Sequence, residues 1–120
     1  MKSEEFIGKM IEIPMGKGHA RTYAPSILYH SLRSRTLTPN GSIKGYPLST
    51  KEIELADMWR EPSPDGYVWL SPQPYSSDAL AINAGALNPE DLRYTGQSEG
   101  FLLHKGSIPA EAILKKHELS

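Results

Sequence analysis

The sequence predicts a small α+β domain, with short strands in a mixed or antiparallel sheet and a few short helices. Three apolar segments bounded by turn residues are typical of strands, and they cover residues 26–32, 67–71 and 99–105. Ten prolines and ten glycines among 120 residues exclude long helices and require many loops. A chain of this length forms one domain, for which we predict an N-terminal helix and loop over 1–24 and a core over 25–118.

The N-terminal segment has two interpretations. Residues 3–13 carry apolar side chains at helical spacing, with Ser3 as N-cap and two glutamates in the first turn. The stretch 11–14 is equally typical of a short strand. A loop with two glycines and two basic residues is predicted over 14–24.

Further helices are indicated by capping and turn residues. Ser49-Thr-Lys-Glu52 is a capping box that opens a helix ending near residue 60. Shorter helices are predicted over 78–86 and 110–118. The segments 38–41 and 88–91 have the composition of turns.

Composition narrows the classes of function. The formal net charge is −1, which gives no support to nucleic-acid binding, although a local basic patch stays open. The chain has no cysteine, which excludes disulfides and thiolate nucleophiles. It has neither an apolar run of the roughly 18 residues that span a bilayer nor an apolar signal core. We therefore expect a cytoplasmic protein with no membrane partner.

The four histidines do not predict a metal site. No two of them are three or four residues apart, and no carboxylate–histidine pattern of zinc hydrolases is present. His30 lies inside an apolar strand beside Tyr29, where it is either a half-exposed strand residue or a functional group. Arg33 and Arg35 follow on one side of an extended chain, where they either clamp a phosphate or solvate a sheet edge.

Polar groups at the ends of the three strands are the remaining candidates. Ser71 ends the second strand, Tyr75 follows it, and Glu99 opens the third. Because a sheet can carry side chains from several strands into one cleft, we expect His30, Ser71 and Glu99 to converge. Each one taken alone is more typical of an exposed strand end or loop than of a functional site.

Three motifs in this order resemble the ADP-ribosyltransferase superfamily, in particular its DarT-type and tRNA 2′-phosphotransferase-like branches. Leu28-Tyr-His-Ser31 is similar to the Tyr-His that opens the core of many members. Val68-Trp-Leu-Ser71 is similar to their second core strand. The run from Glu99 to Ile113, which contains Ser-Ile-Pro-Ala-Glu-Ala-Ile, is similar to their glutamate-bearing strand and the Ile-Pro ending.

The resemblance implies an enzyme that uses NAD to modify a macromolecular acceptor. Glu99 and His30 would be its catalytic residues: Glu99 stabilises positive charge on the ribose, and His30 bonds the ribose or carboxamide end of NAD. The implied NAD-binding residues are His30, Tyr29 or Tyr75 stacking on nicotinamide, Arg33 or Arg35 at the pyrophosphate, and Ser71. The alternative is a small non-catalytic binding or inhibitor protein, of phage or mobile-element origin, which acts through a protein–protein interface.

Overall fold

Short antiparallel strands dominate the computed structural model, which describes residues 9–16, 20–31, 38–39, 41–59, 61–74, 79–95 and 101–114. The strands of this part of the chain are β1 (Met10–Met15), β2 (Ala20–Pro25), β3 (Ile27–His30), β4 (Tyr67–Leu70), β5 (Leu80–Asn83), β6 (Leu92–Tyr94) and β7 (Leu102–Lys105). Its helical elements are single or double 3₁₀ turns at Ile53–Met58, Ala84–Ala86, Pro89–Asp91 and Ala110–Ala112. The expectation of a small domain with short strands and few short helices is confirmed.

The strands form three small antiparallel sheets. β1 pairs with β2, β3 pairs with β5, and the third sheet has the order β4-β7-β6. A bridge between Tyr29 and Ser71 joins β3 to the end of β4, and a bridge between Ile82 and Ile113 extends the β3–β5 pair. The predicted strands over 26–32, 67–71 and 99–105 thus correspond to β3, β4 and β7.

Strand alternation divides the apolar residues between two sides of the three-stranded sheet. One side faces the main core. Buried side chains of β1 to β7 form most of it, and two residues of an isolated bridge, Ile43 and Ile108, complete it: Ile13, Ala24, Leu28, Val68, Leu70, Ile82, Leu92 and Leu102 are among the strand residues. The other side carries Trp59, Tyr67 and Leu103, with Leu48, Leu55, Met58 and Trp69 packed against them.

Of the two interpretations of the N-terminal segment, the short strand over 11–14 is confirmed and the helix is wrong over the described residues. The loop predicted over 14–24 is wrong where β2 forms. Met10–Met15 and Ala20–Pro25 form a β-hairpin, in which Ile13 lies opposite Thr22 and Ile11 opposite Ala24. Pro14 lacks the N–H that a helix needs, and the alternating positions of Ile11 and Ile13 suit a strand with one buried face. Residues 3–8 lie outside the described residues.

The predicted helix over 78–86 is also wrong, because residues 80–83 form β5. Ala81 and Ile82 are both buried, on opposite faces of the strand, between β3 and Ile113. Tertiary pairing therefore overrides the weak local preference for helix. A further strand, β6, follows the predicted turn at 88–91; it is three residues long and was not predicted.

The capping box forms only in part. The backbone N–H of Ser49 donates to Glu52 Oε1 at 3.2 Å, as the motif predicts. The Ser49 hydroxyl donates to the same oxygen at 2.7 Å instead of accepting from the Glu52 N–H. The backbone N–H of Glu52, however, donates to the Ser49 carbonyl at 2.9 Å, which closes a tight turn. The helix that follows is therefore 3₁₀, at Ile53–Met58. Of the predicted terminal helix, Ala110–Ala112 is a 3₁₀ turn, and 115–118 lie outside the described residues.

Two glycines allow a close crossing of two backbone segments at the start of β4. Tyr46 and Tyr67 exchange two backbone hydrogen bonds of 2.9 and 2.8 Å. A Cβ atom on Gly45 would lie 2.3 Å from the Asp65 carbonyl, and one on Gly66 would lie 2.7 Å from backbone atoms of Tyr46. Gly66 also has a φ of +78°. The crossing therefore requires residues without side chains at both positions.

We expect Gly66→Ala to lower the free energy of unfolding by about 3 kcal/mol or more, since it combines backbone strain with a steric clash. Gly16→Ala is the matched control, because Gly16 has a φ of +53° but a Cβ there would meet nothing within 4 Å. Strain alone should lower its unfolding free energy by roughly 1–2 kcal/mol. Urea unfolding of both variants measures the difference, and equal losses would contradict the clash.

Candidate functional site

The candidate site lies where β3 and β4 end beside each other. The Tyr29 N–H donates to the Ser71 carbonyl at 2.8 Å, and the Ser71 N–H donates to the Tyr29 carbonyl at 2.9 Å. We call Tyr29, His30, Trp69 and Ser71 the strand junction. It joins the ends of two predicted strands. Because Ser71 is paired with Tyr29, the Ser71 side chain lies on the Tyr29 face of β3 and not on the face that carries His30.

His30 is fixed by a hydrogen bond to the neighbouring strand. Its Nδ1 lies 2.9 Å from the Trp69 carbonyl oxygen. A carbonyl oxygen only accepts, so Nδ1 carries a proton in this arrangement. His30 lies opposite Leu80 in the β3–β5 pair, on the same face as Leu28.

The second ring nitrogen of His30 is buried and has no hydrogen-bond partner. Within the part of the chain that the structure describes, it is the one buried side-chain nitrogen or oxygen in this state. Leaving a buried acceptor unpaired costs about 1–3 kcal/mol, and such groups are rare in native proteins. Nε2 is therefore a buried polar atom of the junction without a partner among the described residues.

The Ser71 hydroxyl forms hydrogen bonds with the backbone around it. Its side chain is buried, and its hydroxyl lies 2.7 Å from the Gln73 carbonyl and 3.4 Å from the Tyr29 carbonyl. Both partners are acceptors, so the one hydroxyl proton is used inside the chain. The Ser71 hydroxyl thus shapes the turn after β4 and keeps only its lone pairs for a ligand.

Tyr29 and His30 do not share a face of β3. Successive strand residues point to opposite sides, and the Tyr29 ring packs against Ile27, Ala81 and Leu114. Of the two tyrosines proposed to stack on nicotinamide, Tyr29 is therefore directed away from the face that carries His30. Tyr75 lies outside the described residues.

The segment that contains Glu99 begins and ends near the junction. The N–H and the hydroxyl of Thr95 both donate to the Phe101 carbonyl, at 3.2 and 3.1 Å. The Phe101 ring packs edge-on against the Trp69 ring, with centroids 6.3 Å apart. Glu99 itself, like Arg33 and Arg35, lies outside the described residues.

His104 is a core histidine. It is 4% exposed, and its Nδ1–H donates to the Gly106 carbonyl at 2.8 Å. It lies opposite Val68 and Leu92, on the core side of the sheet. Burial lowers the pKa of the imidazole below its usual 6.5, against smaller raising effects of the Gly106 bond and Asp91. His104 is thus held neutral as part of the core.

Arg93 is a buried cation that sequence reasoning missed. Its guanidinium donates to the carbonyls of Gly16 at 3.1 Å, Leu92 at 2.8 Å and Glu90, and it lies 5.2 Å from the centre of the Trp59 ring. Burial lowers its pKa, and the nearby carboxylates of Glu90 and Asp91 raise it in part. The one hint in the sequence was the position of this arginine between two large, largely apolar residues, Leu92 and Tyr94. Arg93 thus acts as a clamp: it links the hairpin at Gly16 to the residues around β6 and to the Trp59 ring.

The carbonyl of Glu90 is shared by this clamp. It accepts from Trp59 Nε1 at 3.1 Å as well as from Arg93. The Glu90 carboxylate forms an exposed ion pair of 3.3 Å with Arg21 on the hairpin. An exposed pair of this kind contributes at most about 1 kcal/mol, so the buried bonds of Arg93 hold the hairpin more firmly.

Neither metal ligation nor a membrane span is indicated by the geometry. Across the described ranges, no three histidine, aspartate or glutamate side chains are grouped so that they would hold a metal ion. None of the described helices is long and apolar enough to cross a membrane.

Comparisons of the chain with protein-family models, with curated proteins and with solved structures find no match. The geometry of the strand junction and the motifs of the sequence are therefore the basis for assigning a function.

We expect the stability contributed by neutral His104 to be fully present above pH 6.5 and to fall at lower pH. The unfolded chain takes up a proton near pH 6.5, whereas the folded chain takes it up only at its lower pKa. His104→Asn should keep the bond to the Gly106 carbonyl without titrating. The difference in unfolding free energy between wild type and variant should then shrink by up to about 1.4 kcal/mol per pH unit below 6.5.

Urea unfolding of both proteins between pH 8 and pH 5 measures this difference. A constant difference across the range would show that His104 takes up its proton equally in the folded and unfolded states.

Proposed function

We propose that this chain is an ADP-ribosyltransferase-like enzyme that uses NAD to modify a macromolecular acceptor. The observation that carries the proposal is the strand junction. It includes a histidine whose buried Nε2 has no hydrogen-bond partner among the described residues. That histidine bonds the carbonyl of Trp69, whose ring packs against Phe101 at the end of the segment that contains Glu99. The same residues supply the motifs that resemble the superfamily.

The backbone connections support the convergence with Glu99. Leu70, the residue before Ser71, is paired with Leu102, and Leu102 is paired with Tyr94. The segment between Thr95 and Phe101 therefore leaves and re-enters the sheet at the end where β4 stops. Glu99 is the one carboxylate in that segment.

Transfer of ADP-ribose from NAD would need a histidine held in a fixed position and a carboxylate. In such a transfer the bond between ribose and nicotinamide breaks, nicotinamide leaves with the electron pair, and the acceptor's nucleophile bonds the ribose and releases its proton. His30, held by the Trp69 carbonyl, orients the NAD without rotating. Glu99 stabilises the positive charge that develops on the ribose, an electrostatic effect that contributes a few kcal/mol in related catalytic settings.

A binding function is favoured by a different surface. On the outer face of the hairpin, Met10 and Tyr23 are 54% and 58% exposed, and their neighbours on that face are Glu12 and Pro25. Large apolar side chains grouped on one face mark protein-interaction surfaces more often than scattered ones do. This face supports the alternative of a non-catalytic binding protein, which predicts no response to NAD.

We expect NAD to raise the melting temperature of the wild type. At 100 times the Kd, binding stabilises the folded state by about 2.7 kcal/mol, which corresponds to roughly 10 °C or more for a domain of this size. His30→Asn keeps a donor for the Trp69 carbonyl and removes the Nε2 acceptor, so it should lose most of this shift.

The matched control is His104→Asn, which changes a second buried strand histidine whose Nδ1 also bonds a backbone carbonyl. It should keep the NAD-dependent shift in full, measured from its own melting temperature. Absence of a shift in the wild type would favour the binding-protein alternative. An equal loss in both variants would show that the effect is one of stability and not of the site.

Glu99→Gln tests the catalytic assignment separately. We expect it to slow the release of nicotinamide from NAD by about 100-fold or more, because the amide cannot neutralise positive charge on the ribose. Its melting temperature and its NAD-dependent shift should stay close to those of the wild type. Release at the wild-type rate would remove Glu99 from the mechanism.

A further inference from the structure

We infer that Trp69 is a positioning residue, whose ring holds the end of the segment that contains Glu99 in place relative to His30. The inference rests on the proposed function, since it takes Glu99 and His30 as the groups that act on NAD. It goes beyond that function by naming the side chain that couples them. The role assigned to Trp69 is to place these groups and not to contact NAD.

The backbone of Trp69 holds His30. The Trp69 carbonyl accepts a hydrogen bond from His30 Nδ1 at 2.9 Å. This bond needs a proton on Nδ1 only, so it forms whether or not Nε2 also carries one. Because the acceptor is a backbone atom of β4, any residue at position 69 supplies it. The hold on His30 is therefore separable from the Trp69 side chain.

The side chain of Trp69 holds Phe101. The two rings meet edge to face, with an interplanar angle of 88° and centroids 6.3 Å apart, which is an arrangement that aromatic pairs prefer. Trp69 lies opposite Leu103 in the β4–β7 register, and Phe101 precedes Leu103 by two residues. Strand alternation therefore directs both rings to the same face of the sheet.

Phe101 is also held from the other side of β7. The N–H and the hydroxyl of Thr95 donate to the Phe101 carbonyl at 3.2 and 3.1 Å. Since β7 lies between β4 and β6, the ring of Phe101 is fixed to β4 and its backbone continues from β6. Glu99 precedes Phe101 by two residues in the sequence. A displaced Phe101 ring would thus displace Glu99, and a misplacement of about 1 Å can slow a reaction by about 100-fold.

The experiment is a double-mutant cycle on the full chain, with NAD as the probe. Trp69→Leu removes one ring, Phe101→Leu removes the other, and the double variant removes both. Release of nicotinamide from NAD gives kcat and KM for each protein, below the lowest melting temperature of the set. The NAD-dependent shift in melting temperature reports binding independently.

We expect each single variant to lower kcat by roughly 10- to 100-fold while KM and the NAD-dependent shift stay close to those of the wild type. The double variant should be no slower than the slower single variant, because either substitution alone already removes the contact. Trp69→Phe keeps a ring at position 69 and should recover most of the rate. If Trp69→Leu does not fold, Trp69→Phe and Phe101→Leu carry the comparison, since Phe101 is only partly buried.

Trp59→Leu is the matched control. Trp59 belongs to the cluster against which Trp69 packs, and its ring lies 5.4 Å from that of Tyr67. This variant should release nicotinamide at the wild-type rate. Slowing equal to that of Trp69→Leu would show that any loss from the cluster loosens the sheet, which would overturn the inference.

Further results would overturn the inference and leave the proposed function intact. A wild-type kcat in Trp69→Leu, or rate losses that multiply in the double variant, would show that the two rings do not act as a pair. A raised KM with a lost NAD-dependent shift would assign Trp69 to binding instead. If the wild type neither releases nicotinamide nor responds to NAD, the proposed function fails, and the inference fails with it.

Discussion

The two backbone hydrogen bonds between Tyr29 and Ser71 are the interaction on which the rest of this structure depends. They join the β3–β5 pair to the β4-β7-β6 sheet. Among the described residues, these two sheets share no strand. The hydrogen bond from His30 Nδ1 to the Trp69 carbonyl lies beside them, and it also needs β3 and β4 to be next to each other. Backbone pairing between β3 and β4 therefore determines where the candidate site lies and where its side chains start.

Much of the strand content could be predicted from the sequence, because β3, β4 and β7 have apolar cores bounded by turns. A short strand over 11–14 was one of two interpretations of the N-terminal segment, whereas β2 and β5 were not predicted. In β5, Ala81 is held in a strand by pairing with β3, which lies far away in the chain. Local patterns carry no information about such partners.

The candidate site shows the same division. The sequence predicted that His30 and Ser71 would converge. The structure joins their strands but pairs Ser71 with Tyr29, so the two side chains lie on opposite faces of β3. The commitment of the Ser71 hydroxyl to the Gln73 carbonyl could not be predicted, since it depends on the turn that the chain makes after β4. Arg93 was missed for a related reason: its partners are carbonyls of Gly16 and Glu90, and backbone atoms leave no trace in residue type.

The clamp around Arg93 also gives the chain a built-in optical reporter. The chain contains two tryptophans, and they mark different places. The indole of Trp59 lies under the Arg93 guanidinium that holds the hairpin tip at Gly16, whereas Trp69 lies at the strand junction against Phe101. Replacing either indole by phenylalanine would leave a single fluorophore. The emission of one protein would then follow the docking of the hairpin, and that of the other would follow the junction.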